Sequence, residues 1–475
     1  MSNLPIYSAM FRSTAAHSSI RIFFSVATAA SMIFVVRLLG PEEYGKLSLT
    51  LQIAVTAGLI LSWGSSSTLG KFLPEIPAVP EQGSLASKML GWILVSFALF
   101  TAAFLGLAAA APALFPAELR SAKTLVVAFA GLFAVFNWAQ GTFRGIGKFV
   151  GWSWMEGAND LTARLGALGV IVWISRRYDA VLTPFVLALL FWTALASFRL
   201  KPYFRPSGFR MPPNVVRYAL LMLAGSVLFM AATTLDAALL RGLLKDTSQV
   251  GYYFAGVRIP LILLTLLLSP LSIPFLYYFS HQDTFHTRER VYEMGTKLAG
   301  VLCGVISLLF FTLARPLVVL FYSQAYLGSV AVLQIYGFVL FLVSLQIFSG
   351  PYFAAINKPH LSVAMMLLTI ALLAPLDLWL IPRMEAAGAA LANVLMLTAQ
   401  TLVITYLVLR NRINVLRTVL TLMAGMILSV ALELWALPYS SLPAFLCFVL
   451  ASRLVTRDEF AKIKAVLLHK PEATA

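Results

Sequence analysis

The sequence predicts an all-α polytopic membrane protein with about fourteen transmembrane helices, arranged as two six-helix bundles related by a pseudo-twofold axis along the membrane normal plus two extra C-terminal helices. Three observations predict it. Of 475 residues, 60% are hydrophobic and only 11% are charged, against about 45–50% and about 25% in ordinary soluble proteins. Runs of ~20 apolar residues, the length that crosses a bilayer, recur from end to end and leave no room for a soluble domain of usual size. Short motifs recur at offsets of 206 to 211 residues.

The first apolar run, IFFSVATAASMIFVV after Arg21, is long enough to span. It reads as a spanning helix rather than a cleaved leader. The apolar segments fall at 20–39, 46–69, 89–111, 123–142, 150–174, 180–198, 218–240, 251–279, 295–314, 329–352, 360–381, 386–409, 418–437 and 440–455, the last being short. Between the first two, GPEEYG (40–45) has the chemistry of a turn. Gly40 suits a helix C-cap, Pro41 the first turn of the next helix, and Glu42 and Glu43 the positive end of that helix. After the sixth segment, FRLKPYFRPSGFRMPPNVVR is rich in proline and arginine and marks a domain boundary.

That loop separates two similar halves. FRGIGKF (143–149) ends the fourth segment and FAAINKP (353–359) the tenth, 210 residues apart. Gly45 and Gly251 begin the second and eighth helices, 206 apart; Lys88 and Lys297 precede the third and ninth, 209 apart. The repeat holds six helices, an even number, so both copies have the same orientation across the membrane. The domains expected are residues 1–205, residues 206–412, and residues 413–475 with the two extra helices and a cytoplasmic tail.

With the N-terminus in the cytoplasm, 23 of the 35 Lys and Arg residues fall on the inner side, 10 on the outer side and two within helices. This asymmetry places both termini inside. It also explains the formal charge of +16 without nucleic acid. The tail RDEFAKIKAVLLHK can lie on the inner leaflet as a basic amphipathic segment.

The stretches VVRLLGPEEYGKLSLTLQI, LGKFLPE, LDAALLRGLLKDTSQVGYYFAG, LFYSQAYLGSVAVLQI and LIPRMEAAGAALANVL occur in an order that resembles the polysaccharide transporters. These are the O-antigen type flippases of the multidrug/oligosaccharidyl-lipid/polysaccharide exporter superfamily. The resemblance covers nearly the whole chain. It implies a protein of the bacterial cytoplasmic (inner) membrane that moves an undecaprenyl-diphosphate-linked oligosaccharide by alternating access. It further implies membrane lipid, a polysaccharide polymerase and chain-length machinery as partners, and a proton or sodium as coupling ion. The alternatives are a cation-coupled multidrug exporter of the same superfamily and a membrane-embedded polysaccharide polymerase or ligase. The latter needs a large outer loop carrying catalytic groups, and none is visible, so no enzyme is expected.

Candidate substrate-binding residues follow from charges inside apolar segments, which are costly in lipid. Arg258, in YYFAGVRIP, can offer a phosphate two parallel hydrogen bonds; the alternatives are an ion pair to a neighbouring acid such as Asp236 and snorkelling to the outer surface. The stretch is similar to a pattern of the lipid II flippases, whose arginine there belongs to a cationic cleft. That branch also carries arginines in its first helix, where SVATAAS is uncharged here, which speaks against a lipid II substrate. Gln52 occupies the repeat position of Arg258. Glu156, Asp160 and Arg164 form one helical stripe, with Asp160 and Arg164 either a packing pair or part of a cleft. Asp236, Asp377 and Glu433 lie near the outer ends of their helices, where interfacial solvation or a role in ion coupling would account for them. Cys303 and Cys447 sit in apolar runs and the five histidines do not cluster, so no metal or cofactor is expected.

Overall fold

The computed structural model describes residues 4–205, 208, 210–268, 285–356, 358, 360–411, 413–435 and 439–452. The basic tail from Arg453 onward, Arg412 and the end of the eighth predicted segment lie outside the described residues. Among the described residues the chain is helical, with no strand. The α-helices are α1 (Leu4–Leu39), α2 (Pro41–Leu61), α3 (Ser65–Phe72), α4 (Val79–Ala110), α5 (Ala117–Ser121), α6 (Lys123–Gly145), α7 (Phe149–Trp173) and α8 (Tyr178–Arg199). They continue with α9 (Pro213–Leu244), α10 (Thr247–Leu267), α11 (Phe285–Phe321), α12 (Ser329–Gln346), α13 (Ser349–Ala355), α14 (His360–Arg410), α15 (Leu416–Trp435) and α16 (Ser441–Ala451).

Eleven helical stretches are long and apolar enough to cross a membrane. One of them, α14, is two helices joined at Glu385, whose φ of 53° and ψ of −133° are not helical. With that division, the charge-bearing α7 and the short α16, the described residues hold the fourteen helices expected. Helices α4 and α11 run past their apolar segments, because a helix continues into polar surroundings where i,i+4 pairs such as Glu293–Lys297 (2.9 Å) support it.

The chain packs as two compact units: residues 1–255 with 318–329 and 373–389, and residues 256–317 with 330–372 and 390–475. In the first unit, the second spanning helix is broken. Trp63 and Gly64 take left-handed φ values of 52° and 60° between α2 and α3. Gly64 is required twice over, by that φ and by space, since a Cβ there would lie 2.6 Å from Met222 Cβ. The Trp63 indole N–H is satisfied by Ser96 Oγ at 2.7 Å. On α6, Gly141 and Gly145 let α3 approach to backbone contact; Cβ atoms there would fall 2.5 Å and 2.7 Å from the Ser65 and Leu69 carbonyl oxygens. The hydroxyls of Thr28 and Ser31 donate to the Phe24 and Ala27 carbonyls of their own helix, so α1 carries them without an outside partner.

The turn at GPEEYG forms as expected. Gly40 has φ 81°, Pro41 opens α2, and Lys46 Nζ reaches both Glu42 and Glu43 at 2.7 Å. The other oxygen of Glu43 accepts the Tyr178 backbone N–H, which opens α8. The start of α2 then crosses the start of α10 at unusually short range. A Cβ on Gly45 would lie 2.0 Å from the Thr247 carbonyl oxygen, and a Cβ on Gly251 would lie 1.9 Å from the Pro41 carbonyl oxygen. The contact is reciprocal: both Pro41 to Thr247 and Gly45 to Gly251 are steps of 206 residues.

In the second unit, α11 provides the surface for the two last helices. Gly300 admits Leu422 of α15, and Gly304 admits Phe445 of α16. Polar side chains also join helices there: Ser307 Oγ donates to the Gly337 carbonyl (2.8 Å), and Gln346 Nε2 to Thr401 Oγ1 (2.8 Å).

Candidate functional site

Two acids meet inside the first unit. Asp236 on α9 is 3% exposed and Asp377 on α14 is fully buried. The Asp377 carboxyl faces that of Asp236. Tyr253, on α10, donates its hydroxyl to Asp236. Neither oxygen of Asp377 receives a donor among the described residues. Interfacial solvation therefore does not account for these two residues. Two carboxyls side by side in an apolar setting repel unless a proton or a metal cation lies between them.

Arg258 lies on α10, in the second unit. It is half-buried, its Nε is buried without an acceptor, and among the described residues no carboxylate pairs with it. The alternative of an ion pair to Asp236 is not formed among those residues.

Arg164 is different. Its guanidinium lies 3.3 Å from Asp160 Oδ2 and donates to the Asp160 carbonyl at 2.8 Å, the i,i+4 pair that the stripe predicts. Asp160 also lines a small polar cavity of about 90 Å³ between α1 and α7, with Arg21, Ser25, Thr28, Ser153 and Glu156. Glu156 there approaches Arg21 at 3.8 Å and accepts the Trp152 indole N–H at 3.2 Å. Gln52, on α2, is half-buried, and no hydrogen bond engages its side chain among the described residues; only its carbonyl is used, by Thr56. Glu433 in the second unit accepts from Thr312 Oγ1 at 3.0 Å and from the Ser441 backbone N–H at 3.2 Å. It thus caps the first turn of α16, a placement in which a carboxylate is held by a helix N-terminus.

The structure joins Asp160 with Arg164 and Asp236 with Asp377. Sequence reasoning missed Tyr253, though the Tyr-Tyr doublet beside Gly251 was visible. It also missed the buried ion pair of Glu118, on α5, with Arg241 Nη2, on α9, at 2.9 Å. The second unit holds an apolar cavity of about 380 Å³, lined by Phe338, Phe341, Val394, Met426, Ile427 and Trp435 among others.

No protein-family model and no curated protein matches the sequence. Solved structures do match. The lipid II flippase MurJ in an inward closed conformation aligns with TM-score 0.67 at 13% identity, over 94% of this chain and 98% of that one. An inward-facing multidrug resistance MATE family transporter of the MOP superfamily aligns with TM-score 0.65 at 13% identity, over 84% and 99%. A MOP superfamily transporter from Pyrococcus furiosus, described as having a binding pocket of reverse polarity, aligns with TM-score 0.57 at 15% identity, over 84% and 97%. At these identities the likeness is one of fold, and the chain has the fold of the MOP-superfamily transporters.

Proposed function

We propose that the protein is a flippase that carries an undecaprenyl-diphosphate-linked oligosaccharide across the bacterial cytoplasmic membrane by alternating access, for surface polysaccharide biosynthesis. The observation that carries this reading is Arg258, an intramembrane arginine with no counter-ion among the described residues. A diphosphate crossing the bilayer needs a fixed cation, because an isolated charge in hydrocarbon is very costly. An arginine that is not already neutralised by a carboxylate can supply two parallel hydrogen bonds to it. The apolar cavity lined by Phe338, Met426 and Trp435 has the chemistry to receive part of an isoprenoid tail. Residues 1–205 and 206–412 act as the two bundles, with both termini cytoplasmic, and the polymerase and chain-length machinery receive the product.

Asp236 and Asp377 are the coupling site in this reading, holding a proton or sodium between their carboxyls, while Tyr253 fixes the orientation of Asp236. Gln52, Asp160 and Arg164 line the path of the polar head group. The test is complementation of a strain deleted for the gene. Arg258→Ala should abolish surface glycan at unchanged protein level, and full complementation by that variant would remove Arg258 from the site. The buried acid pair favours one second reading, a cation-coupled exporter of cationic drugs, in which the intact protein would raise drug tolerance and the deletion would leave surface glycan unaltered.

A further inference from the structure

We propose that the crossing of Pro41–Gly45 with Thr247–Gly251 is the outer gate of the transport path, shut in this structure, and that glycine at both 45 and 251 is what lets it shut. This inference rests on the transport reading and on the orientation, with the ends of α1 and α9 outside.

The geometry leaves no room for any other residue. A Cβ at either position would lie about 2 Å from a main-chain carbonyl oxygen, well inside the ~3.3–3.6 Å at which carbon and carbonyl oxygen touch. No rotamer relieves this, because the obstacle is backbone and the added atom is the first of the side chain. An alanine or leucine at 45 or 251 must therefore part the two helix starts. The crossing is symmetric by the repeat, each glycine meeting the residue four before its counterpart. Both halves thus contribute equivalent surfaces, as a gate on a pseudo-twofold axis requires.

The contacts around the crossing suit closure that must be undone in each cycle. Tyr326 is fully buried, donates its hydroxyl to the Val36 carbonyl at 2.7 Å, and packs against the rings of Tyr44, Tyr322 and Tyr252. Arg37 donates to the Leu320 carbonyl at 3.3 Å, and Gln249 to Glu385 at 2.7 Å. The Glu118–Arg241 pair adds one buried charge contact. The hydrogen bonds among these are few and each worth a modest net free energy against water. They can be exchanged for water when the helix starts separate, while the apolar interiors of the bundles stay intact.

The experiment uses the full chain in intact cells, with Cys303→Ala and Cys447→Ala and a reporter thiol at Gln52→Cys, about 10 Å below Gly45 along α2. The probe is a membrane-impermeant maleimide added outside. Gly45→Leu and Gly251→Leu should each speed labelling about tenfold or more, as a shift in a two-state closure does. The double variant should add little beyond the larger single effect, because one contact is lost in both. Gly242→Leu, where a Cβ has no atom within 4 Å, should leave the rate unchanged. Equal labelling in the glycine variants and the parent overturns the proposal.

Should the leucine variants not accumulate, Arg37→Cys with Leu320→Cys in the glycine-intact chain carries the test. A short, reducible bis-methanethiosulfonate cross-link between them, which spans the reach of the lost arginine side chain, should block export, and reduction should restore it. Export that continues when cross-linked overturns the gate. Labelling needs no substrate, so the two readings separate. If Arg258→Ala keeps full glycan export while the glycine variants expose Gln52→Cys, the gate stands and the substrate assignment falls.

Discussion

Two helices of this protein carry an arginine more than a turn from either end of a predicted spanning segment, and they solve the problem in opposite ways. On α7, Arg164 is 14% exposed and has its counter-ion one turn back, at 3.3 Å, with a backbone carbonyl as second acceptor. On α10, Arg258 has neither among the described residues. A charge that brings its own partner is a closed unit; its removal is a question of packing. A charge left open is costly to the folded protein and gains its compensation only when something else arrives. The difference teaches that an intramembrane charge becomes informative about function once its partners are known, not before.

The sharpest way to break this contrast is to remove each arginine in turn. Arg258→Ala should lower surface glycan about 100-fold, the loss expected when a bidentate charge-assisted contact worth roughly 3 kcal/mol disappears. Arg258→Lys should recover only part of it, because an ammonium keeps the charge but not the planar fork. Arg164→Ala should lower export far less, and a glycan level as low as that of Arg258→Ala would erase the distinction.

The acids offer a second, smaller effect. Asp377→Asn or Asp236→Asn should abolish any sodium-dependent rise in melting temperature, which at saturating ion corresponds to about 2–3 kcal/mol by linkage. A rise that survives both substitutions would place the coupling ion elsewhere. Smaller still is the Asp160–Arg164 term. Since Asp160 is 54% exposed, solvent screening limits the coupling in a double-mutant cycle to about 0.5 kcal/mol. Glu433→Ala should cost about 1 kcal/mol in thermal stability, through the lost cap of α16, and leave export intact. Loss of export without loss of stability would return Glu433 to the candidates for ion coupling.

Much of this was legible in the sequence, for identifiable reasons. Apolar runs report burial in lipid directly, so the helices could be counted. Asp160 and Arg164 could be paired because four residues is one helical turn, a spacing that needs no tertiary knowledge. The equal offsets of Gly45 and Gly251 pointed to the repeat. By contrast, Asp236 and Asp377 are 141 residues apart, and nothing local distinguishes their shared buried position from two separate exposed ones. The break at Trp63 and Gly64 was only half visible. The small polar run SWGSSST (62–68) is turn-like in composition, but the contacts that hold the break, Ser96 on the Trp63 indole and Met222 against Gly64, arrive from other helices.

The reciprocal approach of Gly45 and Gly251 has a genetic consequence. Most damaging substitutions in a packed interior can be suppressed by trimming the neighbour they strike, because that neighbour is a side chain that another codon can shorten. Here the neighbour is the peptide carbonyl of Thr247 or Pro41, which every amino acid supplies. A screen for revertants of an inactive Gly45 or Gly251 variant should therefore yield true reversion to glycine, with no intragenic suppressor at residues 41 or 247.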